Sequence, residues 1–135
     1  MTMTNGLTQT RVSRSNQQLD SLEISNFRAF RRLKIESLGN VNLIVGKNSV
    51  GKSALLEALR LYATQGSPEV VGDVLQERDE WSPRAESTQE VGNAFLPVTN
   101  LFYGRPLIEH SRSAIRIGPA GLSTKTLSVE IGWFT

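Results

Sequence analysis

The chain has 135 residues, enough for one domain at most, and its 39% hydrophobic and 21% charged residues are ordinary for a globular protein. The net charge of +2 is too small to indicate nucleic-acid binding, and the lack of cysteine excludes disulfides, thiolate metal sites and a cysteine nucleophile. No apolar run is long enough to span a membrane and the N-terminus lacks the apolar core of a signal peptide, so we expect a cytoplasmic protein without a membrane partner.

Residues 1–18 are rich in Thr, Ser, Asn and Gln and carry few apolar side chains. Such a segment buries too little surface to offset the entropy of ordering, so we expect a disordered polar tail. Residues 19–135 are predicted to form a single folded unit.

A β-hairpin pattern follows the tail. Leu22 and Ile24 alternate with polar residues, and Leu33 and Ile35 do the same, which is the period of half-buried strands. The segment between them carries three arginines. It is predicted either as a solvated turn anchored by two core phenylalanines or as a segment that brings Arg28 to a ligand.

An apolar run at residues 41–45 leads into eight residues that match the phosphate-binding pattern G-x-x-x-x-G-K-[ST] at every fixed position. We predict that the run is a buried strand and that a helix follows over residues 54–62. Strand, glycine loop and helix is the arrangement that this Walker A motif requires. The predicted phosphate-binding residues are Gly46, Lys47, Asn48, Ser49, Val50, Gly51, Lys52 and Ser53.

The residue types of the loop suit this chemistry. Gly46 and Gly51 can adopt positive φ angles, so the loop can curl and point its N–H groups at an anion. The free N–H groups that open the next helix add partial positive charge. Lys52 is predicted to reach the β- and γ-phosphates of a nucleotide, and the Ser53 hydroxyl is the predicted Mg²⁺ ligand.

A second helix is predicted to start at Ser67-Pro68, a cap followed by proline at the first helical position, and to end at Pro83. It contains the acidic pair Asp79-Glu80. Because the residues before that pair are polar, we predict a solvated helix face rather than a pair that handles Mg²⁺ and water.

A second hairpin is predicted near the C-terminus. Its first strand is a short segment at residues 113–117, and its second is indicated by the alternation of Leu127, Val129, Ile131 and Trp133 with polar residues. The predicted fold class is therefore α/β. It is a phosphate-loop lobe with an antiparallel β-hairpin before the loop strand and a C-terminal β-hairpin, and it forms part of a larger domain.

Residues 21–63 resemble the N-terminus of ABC-type P-loop ATPase heads, in the branch that holds the SMC, RecF and OLD proteins and is often labelled AAA family ATPases. That branch has I-x-N-F-[RK]-x-[FY], followed by G-x-N-x-x-G-K-[ST] and a helical E-A pair. Asn48 and Glu57 match the pattern, whereas Ser49 and Ala54 depart slightly from it.

The resemblance implies that the chain is the N-terminal lobe of a longer ATPase, either truncated or split. In such heads ATP lies between the loop of one protomer and a signature motif of a second one. The implied partners are ATP, the missing C-terminal half and a second protomer, with DNA a candidate for the intact parent in DNA repair or phage defence. The family also brings the first hairpin turn close to the phosphate loop, which implies that Arg28 lies beside the nucleotide.

The sequence lacks an apolar run followed by Asp-Glu and lacks an L-S-G-G-type signature. We therefore expect this chain to bind Mg-ATP without hydrolysing it, and we expect ATPase activity of the intact parent.

Two other classes could carry the same loop. A small-molecule kinase fragment would usually start with the loop strand and would carry an arginine-rich lid. A non-catalytic interaction fragment would have a vestigial loop, which nucleotide titration would reveal. A GTPase would need N-K-x-D and D-x-x-G motifs, and neither occurs in the sequence.

Overall fold

The computed structural model describes four stretches of the chain, residues 19–48, 50–80, 97–104 and 113–131. The predicted polar tail, the loop residue Ser49 and the strand residue Trp133 lie outside the described residues.

The first hairpin forms as predicted. Strands β1 (Leu22–Phe27) and β2 (Phe30–Ile35) pair antiparallel, with Leu22 opposite Ile35 and Ile24 opposite Leu33. These four residues share one face of the hairpin because side chains alternate along each strand. That face carries the apolar residues and turns toward the helices.

The predicted C-terminal hairpin also forms, from β3 (Ser113–Gly118) and β4 (Leu127–Ile131). β3 pairs antiparallel with β1 as well, with Ile117 opposite Ile24. The two hairpins therefore join into one four-stranded sheet of order β2-β1-β3-β4. The sequence predicted each hairpin but not their union across a long separation in the chain.

The prediction of a buried strand at residues 41–45 is wrong for this structure. The segment has no strand assignment and pairs with none of the described strands. Val41 is 92% exposed and Leu43 is 88% exposed. A strand needs neighbours for its backbone hydrogen bonds, and a lone extended segment is not stable in water. Among the described residues, the apolar run pairs with neither edge strand of the sheet, β2 or β4.

Helix α1 (Lys52–Ala63) follows the glycine loop and confirms the predicted helix there. Its buried face includes Leu55, Ala58 and Leu61, which lie against the sheet. Gly66 ends the helical segment with φ 67°, and its N–H donates to the carbonyl of Leu61 at 2.8 Å. This is the glycine stop that the sequence indicated.

Helix α2 (Pro68–Gln76) starts after Ser67 as predicted, with proline in its first turn. It ends seven residues before the predicted stop at Pro83, since Gln76 is its last residue. Asp79 adopts φ 55°, and the N–H of Glu80 donates back to the carbonyl of Leu75 at 2.9 Å. This left-handed turn satisfies the last helical carbonyls and redirects the chain.

The core lies between one face of the sheet and the two helices. Its fully buried large side chains come from the sheet, both helices and the segment around residues 98–102, and they include Phe27, Phe102, Leu22, Ile24, Leu61, Leu75, Leu101, Ile115, Ile117 and Val74. Among the described residues, no helix is both long and apolar enough to cross a membrane.

Candidate functional site

The glycine loop ends at Gly51, where α1 begins. Gly51 has φ 103°, a left-handed conformation that favours glycine, and it immediately precedes the first helical residue, Lys52. No side chain caps this helix start. The first N–H groups of any helix lack a helical carbonyl partner, and here no side chain replaces it. These N–H groups are therefore available to bind an anion.

Lys52 folds back over the loop. Its Nζ donates a hydrogen bond to the carbonyl oxygen of Gly46 at 2.6 Å, which closes the loop on itself. The ammonium group is thus held at the loop by a neutral acceptor. A phosphate oxygen is a stronger acceptor for that cation, because its negative charge adds Coulomb attraction to the hydrogen bond.

The turn between β1 and β2 lies directly against the loop. A Cβ atom at Gly51 would lie 2.8 Å from Cζ of Phe30 and 3.3 Å from Cβ of Ala29. Glycine is required there by the φ angle and also by the ring of Phe30. Phe27, on the other side of the turn, is fully buried, so the predicted anchoring of the turn by core phenylalanine is confirmed there.

Arg28 is neither solvated nor free to swing toward a ligand. Its side chain is 5% exposed, and its guanidinium forms two ion pairs, from Nε to Glu57 at 3.0 Å and from Nη1 to Glu80 at 2.6 Å. Nη1 also donates to the carbonyl of Asn100 at 3.0 Å. The prediction of a solvated turn is therefore wrong for this side chain, and so is the prediction that Glu80 lies on a solvated helix face.

One donor of Arg28 remains. Nη2 is buried and has no hydrogen-bond partner among the described residues. Buried polar groups are normally paired, so an orphan donor on a charged group calls for an explanation. A bound anion would supply the acceptor.

Glu57 connects this arginine to a second one. Its side chain is 9% exposed; Oε2 accepts from Arg28, and Oε1 accepts from Nε of Arg78 at 2.6 Å. Arg78 belongs to the turn that follows α2. The carboxylate therefore joins the β1–β2 turn, helix α1 and the turn after α2 in one ion network.

These groups surround a cavity of about 640 Å³ at the loop. Its lining combines loop residues, the β1–β2 turn, α1 and the turn after α2, namely Arg28, Ala29, Asn48, Gly51, Lys52, Ser53, Ala54, Glu57, Glu77 and Arg78. Four predicted loop residues and Arg28 are thus brought together. Gly46 reaches the site through its bond to Lys52, whereas Lys47 and Val50 are exposed and do not line the cavity.

Sequence reasoning missed Arg78 and did not assign Glu57 to the site. Their ion pair bridges different elements, and no local spacing indicates it. Glu57 carried a signal only as a residue that matched the family pattern.

A larger cavity of about 820 Å³ lies beside residues 38–44. It is lined mainly by apolar side chains, such as Leu22, Ile35 and Leu55, and its lining contains no charged residue. It offers no charged side chain to a phosphate, so the smaller, charged cavity is the candidate site.

The described residues contain no group of three or more His, Asp and Glu side chains that could hold a metal ion. Magnesium commonly binds through one or two protein groups together with nucleotide phosphates and water. The exposed hydroxyl of Ser53 at the cavity wall fits such a role.

The comparisons with known proteins show the family of the chain. Residues 21–93, more than half of the chain, match the model of an AAA domain. An uncharacterized protein of Methanocaldococcus jannaschii, MJECL10, is 50% identical over 44 residues, which are 33% of this chain and 20% of that protein.

Two DNA replication and repair proteins RecF are also similar. The one from Clostridioides difficile is 45% identical over 46 residues, covering 34% of this chain and 12% of the relative. The one from Lactococcus lactis is 34% identical over 84 residues, covering 60% of this chain and 23% of the relative. The chain thus spans less than a quarter of the length of each of these three relatives. No solved structure matches the chain. The chain belongs to the AAA domain family, and it corresponds to the N-terminal lobe of a RecF- and SMC-like ATPase.

Proposed function

We propose that this chain is a lobe that binds Mg-ATP at residues 46–53. The observation that carries the proposal is the charged cavity, where Lys52 and Ser53 meet a buried Arg28 whose Nη2 has no described partner. An oxyanion at this place would satisfy that donor and would replace the loop carbonyl as the acceptor for Lys52.

The loop contributes its backbone and two side chains in this proposal. The backbone of the glycine loop and the free N–H groups of α1 hold phosphate oxygens. Lys52 neutralises the β- and γ-phosphates, and Ser53 holds Mg²⁺. The ion held there would supply positive charge against the charge of the phosphates.

Arg28 contributes at the wall of the site. Its ion pairs with Glu57 and Glu80 fix the guanidinium, so it serves as an immobile donor beside the nucleotide rather than as a flexible arm. We therefore propose that Arg28 contacts ATP, as the sequence predicts, and that it also holds the site together through its two ion pairs.

We propose that the chain alone does not hydrolyse ATP. Hydrolysis needs a group that orients the attacking water. The carboxylates that line the cavity are Glu57 and Glu77, and both are engaged, Glu57 by two arginines and Glu77 by Arg60 at 2.8 Å. Neither is placed as a base, because Glu57 stays paired with the buried Arg28 and Glu77 with Arg60. The intact parent is proposed as an ATPase.

The partners follow from the exposed apolar run. Val41, Leu43 and Val45 are each at least 79% exposed, and contiguous exposed apolar surface marks an interaction site. We propose that the missing C-terminal half of the ATPase covers this run, and that a second protomer completes the nucleotide site. We propose DNA as a ligand of the parent in DNA repair, because the similar RecF proteins are named for DNA replication and repair. Phage defence is the alternative role, and it rests only on the resemblance to the OLD proteins. We propose that the parent works in the cytoplasm.

A calorimetric titration with Mg-ATP tests the proposal against the other classes. Saturable binding of ATP supports it. Binding that requires a second small substrate would favour a kinase fragment, and a lack of any nucleotide binding would favour an interaction fragment with a vestigial loop.

A further inference from the structure

Arg78 lies at the rim of the nucleotide cavity. Its side chain is 38% exposed, and it lines the same cavity as Lys52 and Ser53. Among the described residues, its ion pair is with Glu57 alone, from Nε to Oε1 at 2.6 Å. A partly exposed guanidinium with one anionic partner is free to exchange that partner for another.

Arg28 differs from Arg78 in this respect. It is held by Glu57, Glu80 and a backbone carbonyl, and it is buried. Because Glu57 accepts from both arginines, the departure of Arg78 would leave Glu57 still paired with Arg28. The exchange therefore avoids the large cost of an unpaired buried carboxylate.

The positions of Ser53 and Glu57 on α1 indicate which phosphate Arg78 would meet. The two residues are four apart in α1, so they lie on the same face of the helix. Ser53 marks the Mg²⁺ and γ-phosphate end of the loop motif. Arg78 is paired with Glu57, one helical turn from Ser53, and all three residues line the same cavity.

The orphan donor of Arg28 gives an independent indication of an anion here. Its Nη2 lacks a partner although the side chain is nine-tenths buried or more. The terminal phosphate has three oxygens. It can therefore accept from Arg28 and Arg78 together.

We infer that Arg78 is a residue that senses the terminal phosphate. When a nucleoside triphosphate binds, the guanidinium of Arg78 leaves Glu57 and binds the γ-phosphate, whereas a diphosphate leaves the Arg78–Glu57 pair in place. The inference rests on the proposed binding of Mg-ATP. The turn after α2, which carries Arg78, would then take one position with a triphosphate and another with a diphosphate.

The test compares the affinities of the chain for Mg-ATP and Mg-ADP by calorimetric titration. Arg78→Ala should weaken ATP binding about tenfold, because hydrogen bonds to charged groups are lost, and should change ADP binding less than about twofold. Arg78→Lys, which keeps the charge, should recover part of the preference for ATP.

Arg32→Ala is the control. Arg32 is 68% exposed and pairs with Glu23 at 3.0 Å on the first hairpin, and neither residue lines the cavity. Arg32→Ala should leave both affinities unchanged. Melting temperatures of the free variants, measured alongside, report any structural effect separately.

Equal weakening of ATP and ADP by Arg78→Ala, or no weakening of either, would overturn the inference. If the wild-type chain binds ATP and Lys52→Ala abolishes that binding while Arg78→Ala has no effect, only the inference fails. If the wild-type chain binds neither nucleotide, the proposed function fails and the inference fails with it.

Discussion

Nε of Arg28 lies 3.0 Å from Oε2 of Glu57, and this contact ties the β1–β2 turn to helix α1 beside the phosphate loop. Both side chains are buried, with exposed fractions of 5% and 9%. Arg28, which the sequence predicted to lie beside a nucleotide, is thus also part of the ion-pair network that holds the turn to the helix. Any nucleotide contact it makes depends on the carboxylate that holds it.

Glu57→Gln should destabilise the chain strongly. The amide carries no charge, so two arginines lose their common counter-ion and Arg28 keeps only Glu80 and Asn100. Removal of one partner of a buried ion pair costs about 3–5 kcal/mol. Urea unfolding followed by circular dichroism measures the change.

The control for that variant is Glu36→Gln. Glu36 is 82% exposed and pairs with Lys34 at 3.2 Å on the surface, where such a pair contributes about 1 kcal/mol or less. Similar losses in the two variants would show that the Glu57 network does not stabilise the fold.

Gly51→Ala should cost more stability than Gly121→Ala. Both glycines have positive φ angles, 103° and 74°, so both substitutions introduce backbone strain. Only at Gly51 would the new methyl group meet Phe30, at 2.8 Å, whereas nothing lies within 4 Å at Gly121. Overpacking adds about 1–3 kcal/mol. Thermal unfolding of the two variants measures the difference in stability. Equal losses of stability would show that Phe30 does not pack against the loop at Gly51.

Leu22→Ala and Leu43→Ala should differ sharply in effect. Leu22 is 1% exposed in the core, and its truncation should cost about 2–5 kcal/mol. Leu43 is 88% exposed, so its truncation should change the free energy of unfolding by about 0.5 kcal/mol or less. A large loss from Leu43→Ala would mean that residues 41–45 are packed in this chain after all.

The sequence predicted the parts of the fold that depend on local patterns. Alternation gave both hairpins, and the glycine loop with its helix followed from the motif. The start of α2 followed from the Ser67-Pro68 pair. These signals arise within short stretches, where the period of side chains and the chemistry of caps decide the structure.

The remaining features depend on contacts between distant residues. The apolar run at 41–45 has the composition of a strand, but a strand exists only with a neighbour, and the described residues provide none. The early end of α2 follows from the turn at Asp79 and from the pair between Arg28 and Glu80, which no local pattern encodes. No local pattern indicates the role of Arg78 either, because Arg78 lies in the turn after α2 and its partner Glu57 lies in α1.

The purified chain should release no phosphate from Mg-ATP above the level of its Lys52→Ala variant. The reason is that the cavity carboxylates Glu57 and Glu77 are both held by arginines. A colorimetric phosphate assay makes the measurement. Turnover of about one per second or more, within the usual range of enzymes, that Lys52→Ala abolishes would contradict this prediction.

The most direct test of the account is the affinity of the chain for Mg-ATP with and without the Lys52 ammonium group. Loss of a hydrogen bond to a charged group costs about 1.5–3 kcal/mol, so Lys52→Ala should weaken binding about 10- to 150-fold in calorimetric titration. Lys34→Ala, a surface lysine on β2 paired with Glu36, should leave the affinity unchanged. Equal affinities of the wild-type chain and Lys52→Ala would contradict the assignment of the nucleotide to this loop.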